Sequence, residues 1–258
     1  MTLRVSTGLR NYMLTHGSLK DALQNGELQI WSGSQPGSAD YAPTGTLLCT
    51  ITASSGARTA EVQATGSVTL TGGSSGSINT VTVNSINIIP QGAVNYNTSL
   101  NQTAADLAAA INSNVSSPGY YATASGAVVT IYAPKGMGAT PNTYVVTATL
   151  TTITASYANM SGGVTAVNGL HLAYAAAGAI AKDAAQTWTG VNVASNTAGW
   201  FRFVGSVADS GLADSAETQI RLDGSISTSG ADLNLTSTTL TQGATQTISS
   251  FSISMPAS

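Results

Sequence analysis

Charge is what this chain has least of. Asp, Glu, Lys and Arg make up 7% of its 258 residues, against roughly a quarter in ordinary soluble domains. The net charge is −3 and the eight Lys and Arg are scattered. No basic stripe is present to displace counterions from phosphates, which argues against nucleic-acid binding. The single cysteine, Cys49, excludes an intrachain disulfide framework and cannot make a zinc site alone. It alternates with apolar neighbours in Leu47-Leu-Cys-Thr-Ile51 and reads as a small buried hydrophobe. No apolar run approaches the roughly 18 residues of a membrane span. The first ten residues lack the apolar core of a secretory signal, so the chain is expected to be used without secretion or to have lost a leader.

Recognisable reaction chemistry is also missing. The only histidines are His16 and His171, and neither has a carboxylate three or four residues on, as a metal-binding helix would. His171 falls on the polar side of an alternating stretch between Leu170 and Leu172, and His16 precedes a turn glycine; both read as solvated. No Gly-x-Ser-x-Gly elbow enters a helix, and no glycine loop ends in Gly-Lys-Ser/Thr. Asp209, Asp214 and Glu217 share one loop, but their spacing matches no calcium loop. Asp223 and Asp232 lie on separate strands with no reason to act as a glycosidase pair. The expectation is a non-enzyme with no cofactor and no metal.

What fills the chain instead is Ala, Thr, Ser, Gly and Asn. Such residues on strand faces give a hydrogen-bonding surface of little charge, as suits a protein packed against copies of itself. The stretch around which the rest is organised is Gly199-Trp-Phe-Arg-Phe-Val-Gly-Ser-Val207, followed after a polar loop by Gln219-Ile-Arg-Leu-Asp-Gly-Ser-Ile226. Phe201, Phe203 and Val207 oppose Trp200, Arg202 and Val204; Ile220, Leu222 and Ile226 oppose Arg221, Asp223 and Ser225. This period-two pattern predicts two half-buried antiparallel strands forming a central ladder.

Before that ladder, Leu9, Tyr12 and Met13 at helical spacing predict a short amphipathic helix over 6–15. Ser18 and Asp21 form a near capping box for a second helix. Strands are expected at 27–31 and 46–52. From about residue 61 the pattern changes to strands at 67–71 and 80–89, a helix at 103–112 capped by Thr103, and strands at 120–124, 127–133 and 144–152. Hinges are placed at 53–57 and 160–163. Strands at 166–172, 185–191, 231–236 and 250–255 complete the chain, and the Ala-rich piece between the first two is ambiguous between loop and helix. Neither end has enough strands to close alone. The expected fold is therefore mainly β: an antiparallel β-sandwich, jelly-roll-like, of residues 1–60 and 165–258, split by an inserted small α+β domain at 61–164.

Trp31, Trp188 and Trp200 are candidates for a glycan platform, or for packing in a core or subunit interface. Leu9, Tyr12, Met13, Trp31 and Trp200 are the expected interface residues, the first three forming a terminal contact arm whose removal should leave the fold intact.

Leu3-Arg-Val-Ser-Thr-Gly-Leu-Arg-Asn11, Gly17-Ser-Leu-Lys-Asp21, Ile30-Trp-Ser-Gly33, Thr187-Trp-Thr-Gly190, Gly199-Trp-Phe-Arg-Phe203 and Arg221-Leu-Asp-Gly-Ser225 resemble small structural proteins of tailed-bacteriophage virions. The likeness covers roughly residues 1–60 and 165–258. The middle of the chain resembles, more weakly, β-rich modules of phage tail and sheath proteins through Val81-Thr-Val-Asn84, Asp106-Leu-Ala-Ala-Ala-Ile-Asn112 and Val129-Thr-Ile-Tyr-Ala-Pro134. The resemblance implies a virion structural role and carries no catalytic residues. A capsid decoration protein is the leading expectation, located in the virion, with other virion proteins and copies of itself as partners and with no nucleic acid or membrane. A tail or neck adaptor and a glycan-binding adhesin module are the alternatives.

Overall fold

The computed structural model describes residues 3–114 and 119–254. The chain divides into two compact units, Met1–Glu61 with Ala166–Ser258, and Val62–Thr165. It is mainly β, and among the described residues its paired strands are antiparallel except Arg221–Ser227 with Leu233–Asn234.

The first unit begins with β1 (Arg4–Val5). Ser6 then caps α1 (Thr7–Thr15), its Oγ accepting from the Leu9 N–H. Ser18 and Asp21 form a capping box that opens α2 (Leu19–Leu23). Side-chain oxygens satisfy backbone donors that no helical turn reaches, which is why both helices start where their serines stand. β2 (Glu27–Ser32) and β3 (Leu47–Ala53) follow.

The second unit holds β4 (Thr65–Gly72), β5 (Ser77–Val83), β6 (Ile86–Asn87), β7 (Val94–Asn95), α3 (Leu100–Ser113), β8 (Tyr121–Ser125), β9 (Val128–Tyr132), β10 (Val146–Thr151) and β11 (Thr154–Ser161). One sheet runs β11-β4-β9-β8; the other runs β10-β5-β6, with β7 also on β5. β4 and β5, joined by the Gly72–Gly76 turn, thus lie in different sheets. Val68, Val81, Leu107, Ile111, Val129 and Ile131 are buried in the core that these sheets and α3 share. Helix α3 starts earlier than expected because Ser99, not Thr103, is its cap, accepting from the Gln102 N–H at 3.1 Å. Thr103 instead lies buried and donates back to the Ser99 carbonyl. β11 extends into the first two residues of the hinge expected at 160–163.

The chain returns to the first unit with β12 (Ala179–Ala181), β13 (Trp188–Val191), β14 (Asn196–Val204), β15 (Arg221–Ser227), β16 (Leu233–Asn234), β17 (Thr239–Leu240), β18 (Thr245–Ile248) and β19 (Ser252–Ser254). A nine-stranded sheet runs β1-β15-β14-β2-β3-β13-β18, with β16 beside β15 and β17 beside β14. The ladder expected from sequence is present: Phe203 faces Leu222 and Arg202 faces Asp223 between β14 and β15. The other edge of β14 is taken by β2, with Phe201 opposite Ile30 and Phe203 opposite Leu28. Residues 166–172 make only isolated bridges, Val167 to Thr59, Leu170 to Gly26 and Leu172 to Lys182. The ambiguous Ala-rich piece contains β12, which pairs with β19; Met255, the expected end of the last strand, lies outside the described residues.

Under one face of the large sheet, Phe201, Phe203, Trp188 and Phe251 meet edge-on or tilted at centroid distances of 5.7–5.8 Å. Edge-to-face contact suits the quadrupoles of aromatic rings, and full burial of each such side chain stabilises by roughly 1.5–3 kcal/mol. Leu9, Leu23, Leu28, Ile30 and Leu222 complete this core. At Gly199 a bulge brings β14 against β2 so closely that a Cβ would stand 2.0 Å from the Gly33 carbonyl oxygen.

Candidate functional site

The opposite face of the same sheet carries the charged side chains. Register places Trp31, Gln29 and Glu27 of β2 beside Trp200, Arg202 and Val204 of β14, and these beside Ser225, Asp223 and Arg221 of β15. Alternation correctly groups Trp200, Arg202 and Val204 on one face, but all three are buried. The strand is covered on both sides rather than half-buried, because the loops over 33–46 and 206–219 lie across its polar face.

Arginines hold those loops down. Arg202 donates from Nε and Nη2 to the two Asp223 carboxylate oxygens at 2.8 and 2.7 Å. Its Nη2 also donates to the carbonyls of Ala39 and Tyr41. Arg221 makes a second two-point pair with Asp209, at 2.5 and 2.8 Å, and donates to the Leu212 carbonyl. Planar guanidinium groups match carboxylates in this forked geometry better than an ammonium would. Burial pushes the Asp223 carboxyl up from its ordinary range, while the Arg202 hydrogen bonds and charge and the Arg221 charge pull it back. A third pair, Arg58 with Glu27 at 3.3 Å, is also largely shielded.

The same loops grip the N-terminal segment. Asp40 accepts from the Thr7 N–H at 2.7 Å and from its hydroxyl at 2.9 Å. Burial acts to raise the Asp40 carboxyl, but the Thr7 and Ser38 hydrogen bonds and Arg10 outweigh it and hold it below the usual carboxylate range. Ser6 is fully buried; its Oγ donates to the Gln219 carbonyl and accepts from the Arg221 N–H.

Two of the expected interface residues, Leu9 and Trp200, need correction. Leu9 is fully buried in the core, so it offers no contact surface, and the N-terminal segment is an integral part of the sheet and its cover rather than a detachable arm. Trp200 is fully buried and Trp31 half-buried, their rings stacked at 5.8 Å and 14°. Trp188 is buried among the phenylalanines, so the tryptophans form no exposed platform. Tyr12 packs partly against the core, and burial, then the Asp21 and Glu61 carboxylates, push its hydroxyl up to about 12. Met13 is partly exposed at the end of α1, beside the exposed Leu14.

The other candidates are occupied. His171 Nε2 lies 3.0 Å from Asn25 Oδ1. Asp209 serves Arg221, Asp214 accepts from the Thr218 and Gln219 N–H groups, and Asp232 accepts from Ser225. No group of three potential metal-ligating side chains occurs among the described residues.

The second unit has the opposite electrostatic character. Asp106 and Lys135 are its only charged side chains across residues 62–165. Asp106 is held below the carboxylate range by Asn97 and Gln102. On the β11-β4-β9-β8 sheet, the side chains alternating with Val68 and Val129 form an uncharged outer face. One row runs Thr123, Thr130, Ser67, Ala158 and the next Ser125, Val128, Thr69, Ser156. At its end Tyr121 and Tyr132 stack at 4.6 Å and 4°. This uncharged face of hydroxyls and paired rings is the candidate contact surface. No family model, curated protein or solved structure matches the chain.

Proposed function

We propose that the chain is a structural protein of a bacteriophage virion, and within the virion a capsid decoration protein. The carrying observation is where the charge sits. In the first unit three Arg–carboxylate pairs are drawn inward, and the second unit has two charged residues in all. Burying an exposed charge at an interface costs desolvation that hydroxyl and methyl surface does not. A face such as Thr123, Thr130, Ser67 and Ala158 therefore packs against a neighbouring protein at small cost, and many weak copies sum through multivalency. The resemblance to virion proteins supports the same reading. Its residues lie on β1, α1, α2, β2, β13, β14 and β15 of the first unit and, more weakly, on β5, α3 and β9 of the second.

Quantitative mass spectrometry of purified virions, against the major capsid protein, tests the proposal. Copies in the hundreds support decoration of the shell. A copy number on the order of a dozen, as a symmetric neck or tail ring would hold, sinks decoration and leaves the virion role. Absence from the particle sinks both.

A further inference from the structure

The large sheet of the first unit ends at β18, which among the described residues pairs with β13 on one side only. Register shows what its other side offers. The Val193 N–H donates to the Leu48 carbonyl of β3, whereas the Asn192 N–H donates to the Ala244 carbonyl. Backbone groups alternate along a strand, so Gly190 and Trp188 also bond away from β3, toward Gln246 and Ile248. Thr245 and Thr247 therefore turn their N–H and C=O groups outward. Both residues are exposed. Among the described residues, the one hydrogen bond on that side is a long one, 3.4 Å, from the Gln246 amide to the Thr247 carbonyl.

Proteins usually close such an edge with lysine, proline or a bulge. Here β18 runs in regular register against β13, and no charged residue or proline occurs between Asp232 and Met255. On the same face as Thr245 and directly opposite it stands Val191, 49% exposed. An uncharged edge of this kind accepts an extended strand, and the strand it matches is its own. In an antiparallel pair with a two-fold axis at Gln246, Thr245 of each copy stands opposite Thr247 of the other. Residues that bond outward then meet residues that bond outward, and four backbone hydrogen bonds close. The exposed Val191, Thr245 and Thr247 side chains of both copies form one strip, with no like charges to hold them apart.

We propose that β18 joins two copies of this chain edge to edge, so that the large sheet runs on from one copy into the next. The inference is independent of the virion role. The edge is short, so isolated copies should pair with millimolar affinity, and copies held side by side on a particle far more completely.

Amide NMR of the intact protein, diluted from about 1 mM to about 0.05 mM, is the test. The Thr245 and Thr247 signals should move with concentration, and those of Gln246 and Ile248, bonded to β13, should move less. Gln246→Lys and Gln246→Glu should each weaken pairing about two- to fivefold, because like charges then meet on the axis. An equimolar mixture of the two variants should restore it. Signals that stay fixed up to the highest concentration, or pairing that Gln246→Lys leaves intact, would overturn the two-fold contact. So would pairing lost in both variants and not recovered in their mixture. A monomer whose Thr245 and Thr247 signals move only when a different protein of the particle is added would also overturn it, because the edge would then serve a foreign strand.

Discussion

Arg202 and Asp223 stand directly opposite one another on β14 and β15, joined by two hydrogen bonds and both withdrawn from solvent. The pair links the central ladder to the loop above it, since the same guanidinium also binds the Ala39 and Tyr41 carbonyls. Removing one partner leaves a buried charge with nothing to balance it. Arg202→Ala is therefore expected to cost about 3–5 kcal/mol in urea unfolding, and the double change Arg202→Met with Asp223→Leu distinctly less than the sum of the single changes. Strict additivity would show that the two residues do not act as a pair.

One Ser6 hydroxyl both caps α1 at the Leu9 N–H and ties the N-terminal segment to the start of β15, donating to the Gln219 carbonyl and accepting from the Arg221 N–H. Ser6→Ala should destabilise the first unit by about 1–3 kcal/mol, combining a lost helix cap with buried groups left unpaired. Deleting residues 1–15 should abolish its cooperative unfolding, because Leu9 leaves the core with them. An unchanged melting curve for the deletion would restore the detachable-arm reading.

Asp40 gives acid sensitivity to the same segment. Its folded carboxyl is held below the unfolded value near 3.9. The stabilisation is therefore complete above that value and is lost as pH falls through the folded one. Hydrogen exchange at the Thr7 amide, corrected for its intrinsic rate, should accelerate below about pH 4, and Asp40→Asn should flatten that dependence. A wild-type profile identical to that of the variant would rule Asp40 out.

Cys49 is fully enclosed, and burial pushes its thiol up to about 12. At pH 8 the native protein should react with a disulfide reagent only as fast as it opens, and fully once unfolded in denaturant. Rapid native labelling would mean that β3 is open to solvent.

Thr123 and Ser67 lie in one row of the uncharged sheet face. Lysine at Thr123, an exposed position, should change stability by no more than about 0.5 kcal/mol, while lowering occupancy on virions. Unaltered occupancy in Thr123→Lys and Ser67→Lys together would move the proposed contact away from this face.

The sequence by itself determined the helices, several of the strands and which of their residues share a face. Phe201, Phe203 and Leu222 alternate against polar neighbours, and Ser18 with Asp21 announces a helix start. These are local signals, set by the period of the backbone and by the first turn of a helix. Alternation states which side chains share a face but not what will cover it. Only the tertiary structure decided that Trp200, Arg202 and Asp223 are buried, because their cover includes the 33–46 loop, far away in the chain. It also decided that β11 is a strand, since Thr154 to Ser161 gains its pairing from β4 and not from its own mixed pattern of small residues.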